Sequence, residues 1–183
     1  EIISFTPEEI KKVSENLPGY DYNLYVIALL IFNCFMRPQE IVRLRVRNIK
    51  DAGDFLQIGG EVSKNRKNEV VQLTPALKTA IKKLDLNYPS EYFVFGYKMK
   101  RNKREIAPTR IAEAWRAFAG EYGIEKNLYS LKHTGNGLAL ENGANTRDLQ
   151  LQNRHSSLEQ TQKYLDRFSK TPSDRFIKTI PSL

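Results

Sequence analysis

Residues 129–164 read YSLKHTGNGLALENGANTRDLQLQNRHSSLEQTQKY. This stretch contains both histidines of the chain, His133 and His155, and it ends in a tyrosine. Two of its serines, Ser130 and Ser157, precede runs of helix-forming residues, and serine is a favoured residue at the N-cap of a helix. The stretch therefore predicts two helices that these serines cap.

The segments before this stretch indicate more helices. Thr6, Pro7 and Glu9 form the pattern of a capping box, which predicts a helix that Pro18 and Gly19 then end. Residues 21–35 are apolar nearly all round, which is typical of a helix buried in the middle of a domain. Further helices are predicted at residues 39–44, at residues 75–84 and from Pro108 onward.

Short strands are predicted in the middle of the chain. Two apolar runs, residues 55–58 and 70–73, flank a polar, turn-prone segment at residues 63–68, a pattern that predicts a β-hairpin. We interpret residues 92–95 as a third strand. Helices, a small sheet and more helices together predict a mostly α fold with a small antiparallel β-sheet, in the α+β class.

The composition is that of a basic globular protein. Among 183 residues, 29 are lysine or arginine and 21 are aspartate or glutamate, so the formal net charge is +8. Hydrophobic residues make up 40% and charged residues 27%, which excludes a disordered or membrane-spanning chain. The longest apolar stretch, residues 24–32, is too short to cross a bilayer. The surplus of positive charge favours a polyanion as the partner.

Several common catalytic sites are excluded by what the sequence lacks. Cys34 is the only cysteine, which excludes an internal disulfide and a multi-cysteine metal site. Two histidines leave little for a histidine-rich metal centre. Gly59 and Gly60 lack the lysine and hydroxyl pattern of a phosphate-binding P-loop. We therefore predict no metal and no cofactor.

Residues 129–164 resemble a sequence box of the tyrosine recombinases, the phage integrase family. That box reads His-x-Leu-Arg-His-Thr, continues through a helix ending in Gly to Leu-Gly-His-Ser-Ser, and places a tyrosine nine residues after the last histidine. The matching residues here are Leu131, His133, Thr134, Gly143, His155, Ser156, Ser157, Thr161 and Tyr164. Three positions depart from the box: Tyr129 replaces its first histidine, Lys132 replaces its arginine, and residues 152–154 read Gln-Asn-Arg where Leu-Gly is usual.

Two upstream segments agree with this resemblance. Residues 35–44, FMRPQEIVRL, are similar to the family's arginine box, Arg-x-x-Glu-Leu-x-x-Leu, with Arg37 at its start. The hairpin lysine of the family falls on Lys64. The resemblance spans nearly the whole chain and implies the fold of a recombinase catalytic domain.

The resemblance also implies a reaction, in which a tyrosine hydroxyl attacks a DNA phosphodiester. The products are a 3′-phosphotyrosyl link and a free 5′-hydroxyl, and the covalent link keeps the bond energy without metal or ATP. A free tyrosine is only about 0.1% ionised at pH 7, so the nucleophile needs neighbours that activate it. The residues that the resemblance assigns to this site are Arg37, Lys64, Lys132, His155 and the nucleophile Tyr164, with Tyr129 and His133 as further candidates.

Each of these residues has an expected role in that reaction. Arg37 and Lys132 would bind the non-bridging phosphate oxygens, and His155 would add a hydrogen bond. Lys64 would protonate the leaving 5′-oxygen. Because lysine binds phosphate as a point charge, whereas arginine binds it as a fork, Lys132 is expected to be a partial substitute for arginine.

Structural readings of the same residues stay open at this point. Tyr164 lies near apolar residues and packing alone would explain it, and Arg37 could pair with Glu40 instead of a phosphate. His133 could serve only to buttress the site. Residues 98–104, KMKRNKR, are either a solvated loop or a contact to the DNA backbone. The candidates for that contact are Lys98, Lys100, Arg101, Lys103 and Arg104.

We expect residues 1–183 to form a single catalytic domain, preceded by a DNA-binding domain in a longer protein. Residues 172–183 would form a C-terminal tail that docks on a neighbouring subunit. The expected partner is double-stranded DNA, bound by a homotetramer, with a monomer in its absence and no membrane partner. The chain would act as an integrase or transposase of a mobile element in the bacterial cytoplasm, associated with the nucleoid.

Three alternatives remain. The chain could be a DNA-binding relative of the family that has lost turnover, a helical protein-interaction module, or a type IB topoisomerase. The first is favoured by Lys132 and Tyr129, and the last two fit the spacing of the boxes less well.

Overall fold

The computed structural model describes residues 4–50, 52–63, 66–166 and 168. Two strands, β1 (Phe55–Ile58) and β2 (Glu69–Gln72), pair within these residues. The helices are α1 (Pro7–Tyr20), α2 (Tyr22–Cys34), α3 (Pro38–Ile41), α4 (Val46–Lys50), α5 (Pro75–Lys82), α6 (Pro108–Glu121), α7 (Ser130–Glu141), α8 (Thr146–Asn153) and α9 (Leu158–Leu165). The predicted fold class, mostly α with a small antiparallel sheet, is confirmed. None of the described helices is long and apolar enough to cross a membrane.

Helix α1 begins where the sequence predicts and ends later. The Thr6 hydroxyl accepts the backbone N–H of Glu9 at 3.3 Å, and the Glu9 carboxylate accepts that of Thr6 at 2.7 Å, which completes the capping box. The predicted stop at Pro18 and Gly19 is wrong, because both residues lie inside α1, which ends one residue later at Tyr20. The Tyr20 ring packs edge-on against Phe118, with centroids 5.3 Å apart, and this contact holds the last turn although proline removes one hydrogen bond.

Helix α2 is the centre of the main core, as its apolar sequence predicts. Helices α1, α5, α6 and α7 all pack against it, and its buried residues face in every direction. It ends at Phe35, whose backbone φ of 52° is left-handed. That conformation costs a non-glycine residue about 1 kcal/mol, so the surrounding contacts hold it in place.

The sheet is a hairpin of two strands. Phe55 pairs with Gln72 and Ile58 pairs with Glu69, in antiparallel register. The prediction of a third strand at residues 92–95 is wrong, because Phe93 makes only isolated bridges, to Arg45 and to Asn102. That run is apolar because it is buried in the core, and it does not extend the sheet.

Helix α7 lies directly against α2 because Gly135 has no side chain. A Cβ atom at this position would come within 2.1 Å of the Phe32 carbonyl oxygen, closer than any real contact. Ser130 does not cap this helix, contrary to the prediction; it is the first helical residue, and the Asn127 side chain accepts its backbone N–H at 3.1 Å. The close approach brings the first turns of α7 to the end of α2.

Helices α8 and α9 enclose a second, smaller apolar cluster. Its buried members are Phe35, Leu149 and Leu165, and Tyr164 packs against them. Ser157 caps α9 as predicted, with its hydroxyl accepting the backbone N–H of Gln160 at 3.2 Å. Phe35 thus ends the central helix of the main core and contributes its ring to the smaller cluster.

Candidate functional site

The candidate site lies where two helices end in left-handed turns. Phe35 ends α2 with φ 52°, and Arg154 ends α8 with φ 57°. Lys132 and His133 reach this point from α7, and Tyr164 reaches it from α9. Residues that are far apart in the sequence therefore meet at the ends of α2 and α8.

Arg37 follows the end of α2 and is held by Glu40. Its Nη1 lies 3.2 Å from Oε1 of Glu40, and its backbone N–H donates to Oε2 at 2.8 Å. Pro38 starts the single turn of α3, which places the carboxylate back against Arg37. The Arg37 side chain is 18% exposed and that of Glu40 is 1% exposed, so the guanidinium reaches the surface and the carboxylate does not.

Arg154 is a buried arginine on the other side of Glu40. Its side chain is 1% exposed, and Nη2 lies 2.6 Å from Oε2 of Glu40. Nη1 donates to the carbonyl oxygen of Cys34 at 3.1 Å, and Nη2 reaches that of Phe35 at 3.5 Å. Its Nε lies 3.6 Å from a carboxylate oxygen of Glu69 in β2. The guanidinium therefore ties α8 to the C-terminal end of α2, where the helix dipole favours positive charge.

Lys132 brings a third positive charge to the same place. Its side chain is buried, and Nζ donates to the Phe35 carbonyl oxygen at 2.9 Å. We call Arg37, Lys132 and Arg154, arranged around Glu40, the cation cluster. Three cations against the carboxylates of Glu40 and Glu69 leave a net positive charge in a mostly buried position, which suits the binding of an anion.

Tyr164 lies beside this cluster with two histidines. Its hydroxyl is 2.7 Å from Nδ1 of His133. Its ring centroid lies 5.7 Å from that of His133 and 6.0 Å from that of His155. We call these three residues the tyrosine cluster.

The His155 ring is oriented by Thr161, whose hydroxyl oxygen lies 3.0 Å from Nδ1. This leaves Nε2 as the ring nitrogen that can meet a ligand. Burial, followed by the positive charges of Lys132, Arg37 and Arg154, lowers the pKa of His155 to about 4. The imidazole is therefore neutral at pH 7. The three cations lower its pKa because the tyrosine cluster lies beside the cation cluster.

Tyr129 lies between the two clusters. Its ring packs edge-on against His133, with centroids 5.4 Å apart, and Nζ of Lys132 lies 5.9 Å from its centroid. Burial raises the pKa of the Tyr129 hydroxyl, although the positive charge of Arg37 and a hydrogen bond to it act in the opposite direction. The hydroxyl therefore stays protonated, and Tyr129 is a neutral neighbour of Arg37.

The structure thus brings together six of the seven residues predicted for the site. They are Arg37, Tyr129, Lys132, His133, His155 and Tyr164. Lys64 and the tail at residues 172–183 lie outside the described residues.

The basic loop at residues 98–104 lies elsewhere. Arg101 donates a hydrogen bond to Asn23 at the start of α2 and is partly buried rather than fully exposed. Asn23 and Cys34 are about 17 Å apart along the helix, at 1.5 Å per residue. Lys98 and Arg104 lie over the Tyr97 ring, at 5.7 and 5.3 Å. The loop is therefore at the opposite end of α2 from the candidate site.

Sequence reasoning missed Arg154 as part of the site. The sequence did carry a signal for Arg154. It occupies the position where the family's box has glycine, just before His155, and glycine is the usual residue in a left-handed turn. An arginine there, at φ 57°, indicates that its side chain has a role that offsets the strain. The sequence suggests Glu40 only as a partner for Arg37, and its burial between two arginines depends on the tertiary structure.

Metal-binding groups and the cysteine thiol do not provide an alternative candidate site in the described part of the chain. Among residues 4–50, 52–63, 66–166 and 168, no group of three or more histidine, cysteine, aspartate or glutamate side chains could hold a metal ion. Burial raises the pKa of the Cys34 thiol to about 12. This cysteine is therefore a packing residue and not a nucleophile.

Comparison with known proteins identifies related sequences. A sequence model of the phage integrase family matches residues 4–170. Tyrosine recombinase XerA from Pyrococcus furiosus is 27% identical over 162 residues, which cover 88% of this chain and 56% of the relative. A tyrosine recombinase from Pseudothermotoga lettingae is 28% identical over 163 residues, covering 87% of this chain and 54% of the relative. The chain therefore spans just over half the length of these relatives.

Solved structures share the fold. The crystal structure of XerA recombinase matches 96% of this chain and 61% of its own, with a TM-score of 0.69 and 18% identity. The Tn1549 transposon integrase, solved in complex with circular intermediate DNA, matches 100% of this chain and 66% of its own, with a TM-score of 0.74 and 12% identity.

Proposed function

The chain belongs to the phage integrase family, and on that premise we propose that it is the catalytic domain of a site-specific DNA recombinase. It cleaves and rejoins double-stranded DNA through a 3′-phosphotyrosyl intermediate, with Tyr164 as the nucleophile. Relatives named as tyrosine recombinases, and a neighbour of the same fold solved in complex with DNA, support this activity.

The observation that carries the proposal is the contact between the Tyr164 hydroxyl and Nδ1 of His133, at 2.7 Å, beside the cation cluster. A neutral imidazole has one nitrogen that accepts a hydrogen bond. His133 can therefore take the phenolic proton as the oxygen attacks phosphorus. A tyrosine that served only to pack would need neither a proton acceptor nor a neighbouring group of cations.

Cleavage then proceeds as an exchange of one ester bond for another. The Tyr164 oxygen forms a bond to phosphorus, its proton passes to Nδ1 of His133, and the bond to the 5′-oxygen breaks. We assign protonation of that leaving oxygen to Lys64. Rejoining is the reverse: a 5′-hydroxyl attacks the phosphotyrosyl link, and the proton returns to Tyr164.

The cation cluster stabilises the charge that develops on the non-bridging oxygens. Arg37 reaches the surface and offers the fork that binds two phosphate oxygens. Lys132 has three N–H donors, so it can keep its bond to Phe35 and still give one to phosphate. His155, neutral at pH 7, donates from Nε2 when Thr161 holds Nδ1 as the acceptor. Each such donor is worth about 10²–10³ in rate.

The wider assignment rests on the same premise. We propose an integrase or transposase of a mobile element, acting as a homotetramer on two DNA sites in the bacterial cytoplasm. The net charge of +8 supports contacts to the DNA backbone, including those assigned to the basic loop. The single catalytic domain at residues 1–183, the docking of residues 172–183 on a neighbouring subunit and a preceding DNA-binding domain are part of this proposal.

A second candidate function is DNA binding without turnover. The observation that favours it is the burial of Lys132, whose ammonium is already bound to the Phe35 carbonyl. If that ammonium does not reach the phosphate, the site lacks one of its cations.

A suicide substrate separates the two functions. In such DNA a nick lets the short 5′-hydroxyl fragment diffuse away, so the covalent protein–DNA adduct accumulates and is counted on a denaturing gel. We expect an adduct with the wild-type chain and none with Tyr164→Phe. The matched control is Tyr88→Phe, on an exposed tyrosine, which should react like the wild type.

The contrary outcomes are specific. An adduct that persists in Tyr164→Phe overturns the assignment of the nucleophile. Wild-type protein that binds its DNA site but forms no adduct supports the binding-only function. In that case Lys132→Arg, which restores the fork, is the variant to test for recovery.

A further inference from the structure

Arg154 is the residue of the site that no sequence pattern assigned. Its backbone is left-handed, its side chain is 1% exposed, and its guanidinium contacts Glu40 and two carbonyl oxygens at the end of α2. Burying an arginine is costly in desolvation, and a left-handed backbone adds strain to a residue other than glycine. These costs indicate that both the charge of Arg154 and the forked N–H donors of its guanidinium have a function.

The contacts of Glu40 indicate that use. Oε2 of Glu40 lies 2.6 Å from Arg154, whereas Oε1 lies 3.2 Å from Nη1 of Arg37. Both arginines share the carboxylate, and Arg154 makes the closer side-chain pair with it. Without Arg154, a buried carboxylate would have to draw Arg37 toward it for compensation.

The second use concerns Lys132. The Phe35 carbonyl accepts from Lys132 at 2.9 Å and lies 3.5 Å from Nη2 of Arg154. Both side chains thus converge on one backbone oxygen, that of the left-handed turn with φ 52°. Arg154 fixes the acceptor that orients Lys132.

We infer that Arg154 is a positioning residue of the phosphate-binding site: it holds Glu40 and the end of α2 so that Arg37 is directed toward the scissile phosphate. It does this from inside the protein and does not touch DNA. This inference rests on the proposed function and deepens it, because it explains how the site works with lysine at position 132.

If Arg154 acts mainly through Arg37, substitutions at the two positions are coupled. A double-mutant cycle measures this coupling directly. Rates of adduct formation would be compared on the suicide substrate at saturating DNA for Arg154→Gly, Arg37→Ala and the double variant. Glycine fits the left-handed turn without strain, so Arg154→Gly preserves the backbone of α8. Because the adduct is trapped, it accumulates over hours even when the reaction is slow, and low rates remain measurable.

We expect Arg154→Gly to slow adduct formation about 10²-fold, within the range seen when one donor to a transition state is lost. DNA affinity should change less than about threefold, because no contact to DNA is removed. On the Arg37→Ala background, Arg154→Gly should cost no more than about tenfold, because only its effect on Lys132 through the Phe35 carbonyl remains. Arg154→Lys, which keeps the charge and loses the fork, should recover part of the rate.

A purely structural role of Arg154 gives a different result. Arg154→Gly would then slow adduct formation by the same factor in the wild-type protein and in Arg37→Ala. That loss of rate would match the unfolded fraction measured by circular dichroism at the assay temperature. Arg154→Gly/Glu40→Gln, which removes the carboxylate charge as well, separates the two effects if Arg154→Gly folds poorly. Its rate should then exceed that of Arg154→Gly by about tenfold, since Arg37 is no longer drawn inward. The control for loss of an ion-paired arginine is Arg110→Ala, whose pair with Glu113 is exposed.

Two failures are distinguishable. Wild-type protein without adduct overturns the proposed function and this inference with it. Wild-type adduct combined with an unchanged rate in folded Arg154→Gly, or with losses that multiply in the double variant, overturns the inference alone.

Discussion

The cation cluster and the tyrosine cluster are neighbours, yet they are supported in different ways. The cation cluster lies at the end of α2, the helix around which the main core packs, and Glu40 and Arg154 are each 1% exposed there. In the tyrosine cluster, the tyrosine itself lies on α9, an eight-residue helix that packs on a small apolar cluster with three buried members. One part of the site is built into the core, and the other is attached to it.

This difference matches what the two parts have to do in the proposed reaction. Groups that stabilise a charge act best when they are fixed before the reaction begins, because no reorganisation is then needed. A nucleophile that becomes joined to DNA and is later released is better placed on a weakly held element. Segments with few buried apolar contacts open at lower free energy than the core does.

Glu40→Ala tests whether the cation cluster belongs to the core. It leaves the buried guanidinium of Arg154 without its carboxylate, so the free energy of unfolding should fall by about 3–5 kcal/mol. Urea unfolding followed by circular dichroism measures the change. The control is Glu159→Ala, whose 2.7 Å pair with Lys163 is exposed and should contribute less than about 0.5 kcal/mol. Equal losses in both variants would contradict the comparison.

Leu165→Ala tests whether the tyrosine cluster is attached through α9. Removing a buried leucine from a small cluster should cost about 2 kcal/mol, at the lower end for such a change, because the site can partly collapse. Amide hydrogen exchange in α9 should then become about 30-fold faster, while the amides of α2 keep their protection. Uniform loss of protection across both helices would show that α9 and the core unfold together, and the distinction would fail.

The protonation of His155 provides the smallest test. Its pKa of about 4 lies below the reference value of 6.5, so the unfolded chain takes up a proton at higher pH than the folded chain. The contribution of His155 to stability is therefore complete above pH 6.5 and is lost as the pH falls toward 4. Unfolding between pH 7.5 and 5.5 should show this loss, and His155→Gln should reduce it. A His155 signal that titrates near pH 6.5 by NMR would contradict the effect of the neighbouring cations.

Several features that depend on nearby residues were predictable from the sequence. The capping box of Thr6 and Glu9 and the cap at Ser157 are local hydrogen bonds, and they occur as predicted. The apolar residues of α2 predicted its central position. The third strand failed because its apolar run is equally typical of a buried loop, and only the tertiary pairing of Phe93 separates the two cases.

The candidate site shows the same division. The spacing of the boxes predicted six residues that do meet, although their roles in catalysis remain predictions. The buried pair of Arg154 and Glu40 could not be predicted, because 114 residues separate its members and their burial depends on how α8 meets α2. A local pattern identifies which residues are unusual, and only the packed structure shows what they touch.

Phe35 contacts both clusters, and this has a thermodynamic consequence. Its carbonyl oxygen accepts from Lys132 in the cation cluster, and its ring packs with Leu149 and Leu165 under the tyrosine cluster. In the proposed site, a phosphate that draws Lys132 away from this carbonyl and the docking of α9 on this ring would therefore act on the same residue. By linkage the effect is reciprocal: docking of α9 must strengthen the hold on phosphate by the same free energy that the phosphate adds to docking.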